Sequence, residues 1–177
     1  MATDLSAVSR DDIRPLFITG VQNAHAVEKE ARQILSRQLE RLENYPEMKS
    51  IIRRHLEETN RHEERVDEIL EQLGEDRSVL KDIATQFMGN VAALAHVPAG
   101  DEILKNAFAN HAFENFEVAA YKSLIVMAEA AGEGRFVAAL KQNLQEDETA
   151  ARLIYEQIEP VTRIYLSRVS EGRKADR

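Results

Sequence analysis

Helix-breaking residues are scarce in this 177-residue chain, 7 Gly and 4 Pro, and most gather at corners: Pro46, Gly74, Pro98 with Gly100, and Gly132 with Gly134. The stretches between corners are long and helical in pattern. Segment A runs from about Asp11 to Asn44 with Pro15 in its opening turn, and segment B from about Glu47 to Leu73 with Gly74 as its C-cap. A shorter helix is expected from about Arg77 to Ala95. Segment C covers about Asp101 to Ala131, and segment D about Arg135 to Arg168, with Pro160 expected to kink or break it.

Four segments of about 27 to 35 residues, each about 40 to 50 Å long at 1.5 Å per residue, suit side-by-side packing along one axis. The expected fold is all-α: a ferritin-like up-down four-helix bundle, with the extra helix in a long B-to-C crossover. Short corners make A with B and C with D antiparallel hairpins. One domain, residues 11–168, follows, flanked by an N-terminal extension over residues 1–10 and a polar tail over 169–177 expected to fray.

Composition narrows the function classes. With 23 basic against 31 acidic residues the net charge is −8, which repels phosphate backbones and anionic membranes, so nucleic-acid and membrane binding are not expected. Cysteine is absent, which removes disulfides, thiolate nucleophiles and sulfur-rich metal sites. Any metal must sit on oxygen and imidazole. No apolar run reaches the roughly 20 residues of a membrane span, and the opening MATDLSAVSRDD lacks the hydrophobic core of a signal peptide, so a cytoplasmic location is expected.

The informative residues are polar ones on stripes that should be apolar. Segment A places Glu28 among Phe17, Val21, Ala24, Ala31 and Leu35, and segment B reads Ile51, His55, Glu58, His62, Val66, Ile69, Leu73. In segment C, Glu114, Glu117 and Lys122 are the only charges between Lys105 and Glu129, and Tyr121 stands one turn beyond Glu117. Segment D carries Asn143 and Asp147 between Leu140 and Ala150, with Glu146 at the flank, and the pattern does not choose between Glu146 and Asp147.

Each segment therefore offers an acid near its middle. Buried unpaired carboxylates cost several kcal/mol each. Converging acids must take up protons or share a multivalent cation. Arg65, toward the stripe edge, is the nearest neutralising side chain. Paired-metal bundle cores use such carboxylates with imidazole, and this donor set suits Fe²⁺ or Mn²⁺, with two ions accommodated. Taken singly, Glu28 also suits a stripe edge reaching water, and Glu58 with His62 a helix-surface hydrogen bond. His25, His96 and His111 read as surface or corner residues.

The segments HLEETNRHEERVDEILEQLG, FENFEVAAYKSLIVMAEAAG and LKQNLQEDETAARLI, with Ala-Val-Glu-Lys around Glu28, resemble the ferritin-like stress-response proteins of the YciE/YciF type. The similarity runs from about Ile13 to about Gln157 and is weak from Asp76 to Gly100. It implies a ferritin-like bundle with a crossover helix, a homodimer and a bacterial stress-response setting. By position Glu28, Glu58, Glu114, Glu117 and the Glu146/Asp147 pair match that family's acidic residues, and His62 falls where many members carry Gln. The Glu-x-x-His of better-characterised di-iron relatives is here Glu58-x-x-x-His62 and Glu114-x-x-Glu117, and segment D has no His.

The leading expectation is a carboxylate-rich metal site acting in metal or oxidant handling. Glu58 and Glu117 would bridge two ions, Glu28, Glu114, His62 and Glu146 or Asp147 would be terminal ligands, and Tyr121 would donate a hydrogen bond to a ligand. The alternative is a non-enzymatic dimeric helical scaffold whose acids and histidines form an internal network, a vestige of such a site. Whether the chain is an enzyme is left open by the residues.

Overall fold

A computed structural model describes residues 9–75 and 100–177. Among the described residues the long elements are α1 (Arg10–Arg41), α2 (Pro46–Leu73), α3 (Glu102–Ala130) and α4 (Val137–Ser170), with one 3₁₀ turn at Gly134–Phe136. The all-helical bundle expected from the corner spacing is the architecture found. The crossover helix expected over 77–95, and His96, lie outside the described residues.

The corners follow from local chemistry. α1 stops at Arg41, short of Asn44, because Leu42 turns extended at φ −73°, ψ 111° and Leu42 and Tyr45 bury themselves before Pro46 opens α2. At the far end of α2, Gly74 takes φ 76°, where a Cβ would be strained, and the Glu75 N–H donates to the Leu70 carbonyl at 3.0 Å. Gly132, also at φ 76°, closes α3 in the same way, with the Glu133 N–H on the Ala128 carbonyl at 2.9 Å.

Neither inserted proline interrupts its helix. Pro15 lies beyond the first turn, since α1 begins at Arg10, and α4 runs unbroken through Pro160. Each forfeits one backbone hydrogen bond, which packing along the rest of a helix of more than thirty residues tolerates.

Two apolar clusters fix the topology. One joins Phe17 and Val21 of α1, Leu70 and Leu73 of α2, Leu124 and Ala128 of α3, and Phe136 and Leu140 at the start of α4. The other joins Leu35 and Leu42, Met48 and Ile52, Ile103 and Ala107, and Val161. Starts and ends therefore alternate as up, down, down, up, and α2 runs parallel to α3. Around the square α1 touches α2 and α3, and α4 touches α2 and α3, so every neighbouring pair is antiparallel.

The tail, expected to fray, folds back instead. The Tyr45 hydroxyl donates to the Ala175 carbonyl, and the Ile103 N–H, one of the orphan donors at the start of α3, donates to the Asp176 carbonyl at 2.9 Å. Besides these backbone bonds, the buried Ala175 and the approach of Lys174 and Arg177 to Glu43 hold the tail, none of which a periodicity reading detects.

Leu70 is fully buried in the first cluster. Leu70→Ala is expected to lower the stability of the metal-free protein by about 2–5 kcal/mol, read from urea denaturation midpoints.

Candidate metal centre

Between the two apolar clusters lies a polar layer. Glu28 of α1, His55 and His62 of α2, Glu114 and Glu117 of α3 and Asp147 of α4 are each no more than 2% exposed. Helical spacing aims them inward together. His55 and His62 stand two turns apart on one face, and Glu114 and Glu117 one turn apart on the face that also carries Tyr121.

The layer divides into two groups whose ligand-type atoms lie within 4.8 Å of one another: His55, Glu114, Glu117 and Asp147 in one, and Glu28, His62 and Asp147 in the other. Asp147 belongs to both. His55 Nε2 stands 2.8 Å from Glu114 Oε2, and His62 Nδ1 stands 3.4 Å from both Glu28 Oε1 and Asp147 Oδ1.

Each imidazole turns its other nitrogen to a carboxylate at the edge of the layer. His55 Nδ1 lies 3.4 Å from Glu58 Oε2, and His62 Nε2 lies 2.8 Å from Glu146 Oε2. Arg65 Nη1 donates to Glu146 and to Asn143 Oδ1, both at 2.7 Å; Asn143 Nδ2 donates to the Tyr121 hydroxyl at 2.9 Å, and Tyr121 donates to Glu28 Oε1 at 2.5 Å. A directed chain of donors thus runs from a cation at the layer's edge to one carboxylate inside it.

The inward atoms lack such partners. Among the described residues, Glu28 Oε2, His62 Nδ1, Glu117 Oε1 and both Asp147 oxygens are buried without an aligned hydrogen bond, and His55 Nε2 and Glu114 Oε2 face each other alone. Buried polar atoms are nearly always satisfied, and a concentration of such donors could hold a metal ion.

The electrostatics agree. Burial, reinforced by the charges of Glu28, Asp147 and Glu114, pushes the Glu117 carboxyl well above the usual range. Burial and the neighbouring Glu28 and Glu114 do the same to Asp147. At His55, burial opposes the charged form, but Glu114, Glu58 and Asp147 outweigh it and raise the pKa well above 6.5. Tyr121 is raised by burial and by Glu28 and Asp147. Glu146 goes the other way: its partial burial is outweighed by hydrogen bonds from Arg65, Gln142 and His62, which bring it to about 2.

Of the residues singled out by sequence, Glu28, His62, Glu114, Glu117 and Asp147 come together inside the layer. Glu58 and Glu146 lie outside both groups, with side chains 14% and 21% exposed. The structure separates Glu146 from Asp147: the aspartate faces the interior and the glutamate the edge. His55 is the inward residue missing from the expected ligand set. Its signal was its place on the α2 stripe one turn before Glu58. His25, read as a surface residue, is buried, with Nε2 3.1 Å from Asp67. Arg65 neutralises Glu146 rather than the centre.

Residues 12–167 match a family described as a domain of unknown function, DUF892. The chain belongs to that family. Among solved structures, a protein of Xanthomonas campestris pv. campestris is 28% identical, with a TM-score of 0.75, and the match covers 89% of this chain and 99% of that one. YcfI of Rhodopseudomonas palustris is 23% identical at a TM-score of 0.70, covering 88% and 97%. The E. coli stress protein YciF is 22% identical at 0.69, covering 82% and 94%. The last two share the fold with this DUF892 chain, and the YciE/YciF-type resemblance seen in the sequence holds.

The raised carboxyl of Glu117 has a definite pH signature. Below its ordinary pKa of about 4.5 the group is protonated folded or unfolded and contributes nothing. Above that pH the unfolded chain loses the proton more readily, so stability falls until the folded pKa is passed. In metal-free protein, Glu117→Gln is expected to match the parent at pH 4 and to exceed it increasingly toward pH 7.5, measured by urea denaturation at each pH.

Proposed function

We propose that the polar layer is a two-metal centre for Fe²⁺ or Mn²⁺, and that the protein acts in metal or oxidant handling. The observation that carries this reading is the set of buried oxygen and nitrogen atoms, most of them without a hydrogen-bond partner, that converge from all four helices into one layer. Four carboxylates, from Glu28, Glu114, Glu117 and Asp147, balance two divalent cations when both imidazoles are neutral. Oxygen with imidazole is the donor set these ions favour.

In this reading Glu28 and His62 hold one ion, His55, Glu114 and Glu117 the other, and Asp147 reaches both. Glu58 and Glu146 hold the imidazoles in orientation through their outer nitrogens, an arrangement common behind metal-bound histidines. Tyr121 fixes Glu28. Ions held with open positions exchange electrons with dioxygen or peroxide.

A stress-response setting is supported by the fold shared with the E. coli stress protein, and a homodimer in the cytoplasm belongs to the same reading. No helix among the described residues is long and apolar enough to cross a membrane.

A second reading has its own support in the His55–Glu114 contact and the Arg65–Asn143–Tyr121–Glu28 chain: an internal polar network in a non-enzymatic scaffold. Anaerobic titration separates the two. Purified metal-free protein is expected to take up close to two equivalents of Fe²⁺ and to melt higher when loaded. A protein indifferent to both Fe²⁺ and Mn²⁺ is the scaffold.

Glu146→Gln is expected to keep the stoichiometry while weakening Fe²⁺ affinity about 10- to 100-fold, because it disturbs the orientation of His62 and not a ligand itself. Calorimetric titration gives both quantities. Loss of one whole equivalent would instead place Glu146 among the ligands.

A further inference from the structure

The two open sides of the polar layer differ in kind. On the α2/α4 side stand Arg65, Glu146 and Gln142, joined by hydrogen bonds. On the α1/α3 side a cleft of about 180 Å³ opens, walled by Ala24 and Val27 of α1 and Ala120, Leu124 and Met127 of α3. Its lining also includes Glu28 and Glu117, which at 1% and 2% exposure form its floor. One of these belongs to each of the two buried groups.

The lining also carries two polar residues above this floor, the exposed Ser123 and the half-buried Asn23, whose Oδ1 is buried without a hydrogen bond. Gly20 sets the wall's position: a Cβ there would come within 2.6 Å of Leu124 Cδ2, so a side chain would drive Leu124 from its place. A glycine inside a helix weakens it. Here it lets α1 and α3 close over the end of the cleft.

We propose that this α1/α3 cleft is the path by which an uncharged, dioxygen-sized molecule reaches the face of the centre formed by Glu28 and Glu117. An apolar cavity of this size takes apolar guests such as xenon or benzene. A charged oxidant would shed its hydration to enter, with little beyond Asn23 and Ser123 along these walls to replace it. The path's chemical consequence rests on the metal reading above; its occupancy does not. In the loaded protein two Fe²⁺ would give one electron each to dioxygen, which takes two protons and leaves as hydrogen peroxide.

The occupancy test uses metal-free protein and dissolved dioxygen, whose paramagnetism broadens nearby methyl resonances. The buried methyls of Ala24, Val27 and Leu124 are expected to broaden more than the exposed methyls of Leu16, Leu166 and Val169. Ala120→Phe, filling the cleft, should reduce that broadening about fivefold or more, whereas Ala119→Phe on the exposed side of α3 should not. Ala120→Leu replaces the larger plug if that variant fails to fold. Broadening that follows surface exposure alone, or survives the plug, overturns the proposal.

A second measurement follows Fe²⁺ oxidation under dioxygen. Ala120→Phe is expected to slow it about tenfold with the Fe²⁺ stoichiometry unchanged, and an unchanged rate overturns the path. If the parent binds no Fe²⁺, the metal reading falls by itself and the methyl measurement decides the cleft.

Discussion

Four carboxylates and two imidazoles share a buried layer across the middle of this bundle, and the rest of the structure is arranged around the cost of keeping them there. Removing a carboxylate from water costs several kcal/mol even after relaxation, and neighbouring like charges add to it. The two apolar clusters above and below supply the burial that holds the helices together. Glu117 and Asp147 show the unmet balance most directly, since both are driven toward the neutral form.

The layer is organised by what stands just outside it. Glu58 and Glu146 each take the outer nitrogen of an imidazole, which leaves the inner nitrogen facing the carboxylates. The same side chains differ in strength. Glu146 is locked by Arg65 and held near pKa 2, so it stays an acceptor across the physiological range. Glu58 has only a 3.7 Å approach from Arg54 beside its contact with His55. The outer nitrogen of His62 is therefore more firmly held than that of His55, and Glu28 on the same side is tied to Tyr121.

The helical frame and most of the centre could be read from residue patterns because both obey the 3.6-residue period. Glu28, Glu114, Glu117 and Asp147 are polar residues on otherwise apolar stripes, and burial keeps them where the period puts them. Glu58 misled for a physical reason: its stripe position is displaced toward the edge, and Thr59 takes the buried place beside it. His55 was visible on the stripe, but only the meeting of α2 with α3 shows that its partner is Glu114. The choice between Glu146 and Asp147 depends on the rotation of α4 by one residue, about 100°, and packing settles that where periodicity does not. His25 was misread because its partner, Asp67, lies on another helix.

The direction of approach to the layer follows from which helices make its walls. α2 and α4 meet through Arg65, Asn143 and Glu146, so their side is bridged by charge-assisted hydrogen bonds that resist opening. α1 and α3 meet through apolar residues: Gly20 lets Leu124 pack close at one end, and Ala24, Ala120 and Met127 line the space beside it. A bundle that must seal charged groups and still admit a reactant gains from this division. The polar side holds the outer nitrogen of His62, and the apolar side is the approach proposed above for neutral molecules. Whatever reaches Glu28 and Glu117 from this side must pass the small residues of α1 and α3, so these residues set the layer's access as the carboxylates set its charge.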